Sequence, residues 1–175
     1  MEIRTAGPED CAGIARLQVE SYQESYRGIF PARYLEGFTV DEQEQDWQDF
    51  LSYNSNHVLL VAVGDDGQIS GYSLALPGSD GYPPYESELV TLHVRRVNQR
   101  QGLGRRLVSA SSQTLNEQGV RSLFLWVLKE NPACAFYEKL GGVYLAEKPW
   151  QNNQYFGAHI FEVAYCWRDI RTLME

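Results

Sequence analysis

The chain has 175 residues, 43% of them hydrophobic and 22% charged, and a formal net charge of −8 at pH 7. That length suits a single domain over residues 1–175 with a sizeable core, and the composition is that of a globular protein. The acidic balance argues against nucleic acid as a partner, because neutralising phosphates takes an excess of Lys and Arg.

The longest apolar run, Val58 to Val63, is too short to cross a bilayer. The start, Met1-Glu2-Ile3-Arg4, has no basic-then-apolar leader pattern. A cytoplasmic protein with no membrane partner is therefore expected. Cys11, Cys134 and Cys166 are odd in number and widely spaced, which reads as free thiols rather than a disulfide framework.

Ile3 to Thr5 reads as a short strand. Pro8, followed by Glu9 and Asp10, opens a helix that carries Cys11, Ile14, Ala15 and Leu17 as its apolar stripe and runs to about Tyr26. Gly28 stops it. Pro31 to Gly37 is a second helical piece. In residues 41–53, Trp47, Phe50 and Leu51 give an acidic helix one buried face. His57 to Val63 and Ile69 to Leu76 are strands of a hairpin turned by Gly64-Asp65-Asp66-Gly67. Pro77 to Tyr85 is an irregular loop. Ser87 to Val94 is a strand, Gly102 to Gln118 a helix ended by Gly119, and Ser122 to Leu128 a strand. Asn131 to Leu140 is a short helix. Val143 to Glu147 and Ala158 to Tyr165 are the last strands. This order fits one α/β domain with a mixed sheet, and strand–helix–strand over 87–128 predicts a right-handed parallel crossover.

The chemistry concentrates between Glu88 and Leu107. A hydrophobic strand leads into Gln99-Arg100-Gln101-Gly102-Leu103-Gly104-Arg105-Arg106 at the mouth of a helix. Such a turn aims unpaired backbone N–H groups at one point and adds the positive helix end. Glycine lets the backbone approach a ligand, and arginine adds charge-assisted hydrogen bonds. Arg95, Arg96, Arg100, Arg105 and Arg106 thus predict one anion held at one place, and a pyrophosphate suits it. Leu107 stands where a dinucleotide fingerprint needs a small residue, and Gly104-Arg105-Arg106 lacks the lysine of a P-loop. His57, His93 and His159 lack metal-ligand spacing, so no metal is expected.

Gln99-x-x-Gly102-x-Gly104 after a hydrophobic strand resembles the acetyl-CoA signature of the GCN5-related N-acetyltransferase (GNAT) family. Asn131, with Ala135-Phe136-Tyr137-Glu138-Lys139-Leu140-Gly141, looks like that family's later motif. Ser25-Tyr26-Arg27-Gly28-Ile29-Phe30-Pro31 looks like a stretch common in its bacterial members. The resemblance implies a mixed, twisted sheet flanked by helices, with a splayed pair of parallel strands. It implies acetyl-CoA as donor, held by Leu92, His93, Val94, Gln99, Arg100, Gln101, Gly102, Leu103, Gly104, Arg105, Asn131 and Tyr137.

Transfer to an amine needs a base, a donor to the thioester oxygen and an acid for the departing thiolate. By the same resemblance Glu88 is the base, with Glu86 and His93 as alternatives, and Tyr137 the acid. The N–H of Val94 is a donor to the oxygen. Cys134, one turn before Tyr137, raises a covalent route, but no His and acidic partner accompany it in sequence.

Strict alternation puts Glu88, Leu92 and Val94 on one strand face and His93 on the other, and a bulge would break that parity. The family resemblance implies an acceptor pocket among Tyr22, Tyr26, Ile29, Phe30, Tyr82, Tyr85 and Tyr155. The acidic run from Glu36 to Asp49 could attract a cationic amine or simply face water. The expected function is acetyl transfer to a primary amine of a small molecule or peptide by direct attack, in a possible homodimer. The alternative is a non-catalytic acyl-CoA-binding sensor on the same fold.

Overall fold

The computed structural model describes residues 1–78, 82, 84–151 and 160–174. In chain order the elements are β1 (Glu2–Thr5), a 3-10 turn (Pro8–Asp10), α1 (Cys11–Ser25), α2 (Ala32–Glu36), α3 (Val40–Tyr53), β2 (Val58–Val63), β3 (Ile69–Pro77) and β4 (Ser87–Val94). A second 3-10 turn (Arg96–Asn98) leads to α4 (Leu103–Glu117), β5 (Leu123–Leu128), α5 (Cys134–Lys139), β6 (Val143–Pro149), β7 (Phe161–Trp167) and a last 3-10 turn (Ile170–Leu173).

The strands form one sheet in the order β1-β2-β3-β4-β5-β7-β6. Every neighbouring pair is antiparallel except β4–β5, which is parallel. The sheet is therefore mixed, as the alternation of strands and helices predicts.

Two local deviations from the sequence reading have identifiable causes. Thr39 caps α3 by accepting from the Glu42 amide while its hydroxyl donates to the Glu42 carboxylate at 2.8 Å, so that helix starts at Val40. The side-chain oxygen of Asn131 accepts the Ala133 N–H at 2.9 Å. That local turn delays α5 until Cys134.

Each sheet face has its own cover. On one face α4 lays Leu103, Leu107, Val108 and Leu115 onto Leu60, Ala62, Ala75, Leu89 and the odd-numbered residues of β5. Gly71 permits the close approach: a Cβ there would sit 2.9 Å from Leu107 and 3.0 Å from the His93 carbonyl. On the other face α1 and α3 cover Leu59, Val61, Tyr72 and Leu74 with Ile14, Leu17 and Trp47. Trp47 also donates to Gln18 at 2.7 Å, pinning α3 to α1. The acidic side chains of Asp41, Glu42, Asp46 and Asp49 lie on the exposed side of α3, so that run faces water.

Candidate active site

The mouth of α4 is built from backbone strained in a useful way. Arg100 has φ 59° and Gly102 φ 82°, both in the left-handed region. No neighbour approaches a Cβ built at Gly102 within 4 Å. The turn leaves the helix start open. The first amide of the segment to find a helical carbonyl is Arg106, bonded to Gly102 at 3.0 Å. Among the described residues, the amides from Gln101 to Arg105 have no protein acceptor. Five N–H groups and the positive end of a 15-residue helix converge there.

Side chains around the mouth have separate fates. Gln99 donates to the Val94 carbonyl at 3.0 Å and Gln101 to the Val97 carbonyl at 2.8 Å, so both brace the turn. Leu103 turns its side chain into the core, at 3% exposure, leaving only its amide for a ligand. Gly104 packs under Phe136, whose ring would lie 3.3 Å from an added Cβ.

The expectation of five arginines at one anion needs correction. Arg95 bends to Gln68 at 2.7 Å and lies 3.7 Å from Glu20, while Arg106 reaches the Met1 carbonyl at 3.4 Å. Arg96, Arg100 and Arg105 stay exposed near the turn.

Strand β4 carries a bulge. Thr91 pairs with Leu74 but Leu89 pairs with Ala75, so Val90 is an extra residue. This shift breaks the strict alternation, and the predicted parity is corrected accordingly. Glu88, opposite Leu76, shares its face with Thr91 and His93, opposite Leu74 and Tyr72. Leu92 and Val94 point to the α4 face with Leu89.

Backbone direction matters as much. The Arg95 N–H bonds to Ser70 of the β3 side at 2.8 Å. Alternation of an antiparallel ladder then aims the N–H and C=O groups of Leu92 and Val94 away from β3, toward β5. Yet β4 and β5 pair at one position only, Glu88 with Phe124. Beyond it the two strands splay, and the polar backbone of Leu92 and Val94 borders an opening.

Residues from the two sheet faces meet at that opening. Tyr26, at the end of α1, interacts electrostatically with Tyr22, Tyr137, Glu162 and Tyr34, and burial above all pushes its phenol up. Tyr137 comes from α5 on the opposite face. It is 8% exposed and flanked by Phe136, Tyr165 and Trp167 rings at 5.2, 6.3 and 6.4 Å. Burial raises its pKa as well, with Cys134 adding to the shift, so it stays a protonated donor at neutral pH.

Around Tyr26 stand Phe30 at 5.3 Å and, beyond it, Tyr34 at 5.1 Å and Trp150 at 4.6 Å. Tyr82 lies 6.1 Å from the rings of Phe124 and of Trp126, on the Glu88 side of the sheet. Tyr155 lies outside the described residues.

His93 packs against Tyr22 and Tyr72, with ring centroids 5.6 and 5.3 Å away, and burial pushes its pKa down to about 4. A ring that resists protonation so strongly is a poor proton acceptor near pH 7. Burial raises the thiol pKa of Cys134, which lies 3.5 Å from the Leu128 carbonyl, and this disfavours a nucleophilic thiolate.

The sequence reading did not single out Glu162. It lies on β7 opposite Leu128, on the same face as Glu88, and its side chain is 19% exposed. Burial raises its pKa; Lys148 opposes that and Glu88 adds to it. Its signal in the sequence is a lone charge in an otherwise apolar strand, Phe161 to Trp167.

A profile of the acetyltransferase (GNAT) family matches residues 19–142. The chain belongs to that family. A Bacillus subtilis (strain 168) protein named "Uncharacterized N-acetyltransferase YuaI" is 30% identical over 171 residues, 98% of this chain and 95% of that protein.

Two solved structures share the GNAT fold at lower identity. The PaiA N-acetyltransferase of Thermoplasma acidophilum, in complex with coenzyme A, is 19% identical with a TM-score of 0.72, over 95% of this chain and 98% of its own. The yncA protein of Salmonella typhimurium, with acetyl-CoA, is 19% identical with a TM-score of 0.70, over 96% and 93%. The chain is thus an acetyl-CoA-dependent N-acetyltransferase of the GNAT family. Its own geometry fits that donor: the open amides from Gln101 to Arg105 suit a pyrophosphate, and the splayed edge at Leu92 and Val94 suits an amide-bearing arm.

Proposed function

We propose that residues 1–175 act as one GNAT domain that acetylates a primary amine, of a small molecule or a peptide, by direct attack. What carries this reading is the continuity of three features: the open amides at α4, the gap between β4 and β5, and the cluster of Tyr26, Glu88 and Glu162 on the α1 face of the sheet. Arg100, Gly102, Gly104 and Arg105 would hold the pyrophosphate through backbone N–H groups and charge. Leu92, His93 and Val94 would line the arm, Gln99 and Gln101 would brace the turn, and Leu103 would give its amide. Asn131 would shape the approach of α5.

Acetyl-CoA, when bound, supplies an acyl carbon open to attack and a sulfur able to leave. Glu88 takes the proton of the incoming ammonium, directly or through a water, and frees the lone pair that attacks. The Val94 amide donates to the oxygen on which charge builds. Tyr137 faces the sulfur and donates its phenolic hydrogen. With a raised pKa the phenol acts chiefly as a firm hydrogen-bond donor to the departing thiolate. Tyr26, Phe30 and Tyr82 line the acceptor side.

The test uses the full chain with acetyl-CoA, a panel of amines and a thiol-detecting dye, beside calorimetry with CoA. CoA binding and amine-dependent thiol release are expected, with Glu88→Gln lowering kcat/KM by about 10²-fold or more. CoA binding without turnover on any amine, and with no effect of Glu88→Gln, would favour a non-catalytic acyl-CoA sensor. Absence of CoA binding would end the reading altogether.

A further inference from the structure

The sheet face that carries Glu88 and Glu162 already holds an ammonium group, and it belongs to the protein. Lys148 of β6 sits opposite Glu162 in the β6–β7 ladder. Its Nζ lies 3.9 Å from the centroid of the Trp126 ring and 3.8 Å from the Glu162 carboxylate. A carboxylate beside an indole face is a receptor for a cation. The same-face order along β5 is Phe124, Trp126, Leu128, with Glu88 beside the first and Glu162 beside the last. Trp126 therefore lies between the two carboxylates. Ala164 opposite it leaves the indole room.

The resident ammonium leans on the indole face rather than closing on the carboxylate. At 3.8 Å it is beyond hydrogen-bond reach of Glu162, and the Lys148 side chain is 47% exposed. The preceding residue shows what a closed pair looks like on this strand: Glu147 receives Lys129 at 2.8 and 3.0 Å. Lys148 does not offset the burial of Glu162, whose carboxyl stays above its usual range with Glu88 nearby.

We propose that Glu162 and Trp126 form the docking place for the acceptor's ammonium, and that Lys148 is the resident cation which the acceptor displaces. The inference rests on the acetyltransferase reading above and adds Glu162 as a residue that selects protonated amines. The ammonium binds there first, with Glu88 on the same face to take its proton afterwards. No covalent step occurs at Glu162. Neutral isosteres of the amine lack the charge that the carboxylate and the indole face both favour.

The experiment needs no turnover. CoA-saturated full-length protein is titrated with n-butylammonium, and in parallel with n-butanol. The reporter is the Trp126 indole N–H resonance, assigned by its loss in Trp126→Phe. A saturable shift with butylammonium and none with butanol is expected. In Lys148→Met the half-saturating concentration should fall at least threefold, and in Glu162→Gln the shift should disappear.

Equal responses to butanol and butylammonium would overturn the docking place. Unchanged or weaker binding in Lys148→Met would overturn the displacement, because a merely structural ion pair predicts that sign. Lys148→Met also keeps the test alive should Glu162→Gln not fold. Failure of CoA to bind counts against the acetyltransferase site instead, and the titration can then be read on the protein without CoA.

Discussion

His93 illustrates how environment overrides residue type. An imidazole on the cofactor strand invites a role as base, but its packing against Tyr22 and Tyr72 drives its pKa to about 4. The unfolded chain holds this proton below about pH 6.5, whereas the folded chain takes it only near pH 4. The shift therefore favours unfolding as pH falls from about 6.5 to about 4, and costs nothing above that window. The loss is at most ~3 kcal/mol. In His93→Phe the drop in thermal stability between pH 6.5 and pH 4.5 should be smaller than in the parent chain, as calorimetry at both pH values would show. Tyr137 is the opposite case: the shift strengthens its hold on its proton. Tyr137→Phe removes the donor and keeps the ring, so kcat should fall by about 10²-fold while CoA affinity by calorimetry stays within twofold. Equal losses in both would mean that the residue only shapes the pocket.

At the level of elements, the proposed donor site uses only the first turn of α4, and the rest of the helix packs on the sheet. Leu103, Leu107 and Leu115 fix the helix on the sheet, and Gly102 fixes the direction of the amides before it. Gly119 ends the same helix with φ 89° and equally open surroundings. This pair makes a controlled comparison. A valine at either position meets the left-handed penalty of roughly 1–2 kcal/mol. Gly102→Val should also weaken CoA binding about tenfold or more, whereas Gly119→Val should leave it unchanged; denaturation and calorimetry on both variants check this. Element types were largely legible from sequence, because apolar period and turn residues are local. Less legible was the Val90 bulge, which depends on how β4 matches β3 and not on the residues of β4 alone.

Over the whole molecule, the proposed site draws on residues from both sheet faces. Tyr137 belongs to the α4–α5 side and Tyr26 to the α1–α2 side, and they come within electrostatic reach where β4 and β5 part. A ligand spanning that gap bridges elements otherwise joined through the sheet. At 100 times its Kd, CoA should stabilise the fold by about 2.7 kcal/mol, raising Tm by roughly 5–10 °C for a chain of this size. A melting temperature independent of CoA concentration would contradict a donor site on the folded protein.

The amino-acid sequence by itself determined the order of strands and helices, the glycine turn opening α4 and the aromatic stretch after α1, since each is written in neighbouring residues. It also carried the family resemblance at residues 88–107 and 131–141. Only the tertiary structure decided which way Glu88 faces, that Arg95 and Arg106 reach Gln68 and Met1 instead of the glycine turn, and that Glu162, Trp126 and Lys148 gather on the Glu88 face. The reason is physical: side-chain parity and charge pairing are set by strand partners far along the chain, and one inserted residue in a central strand reverses every face before it.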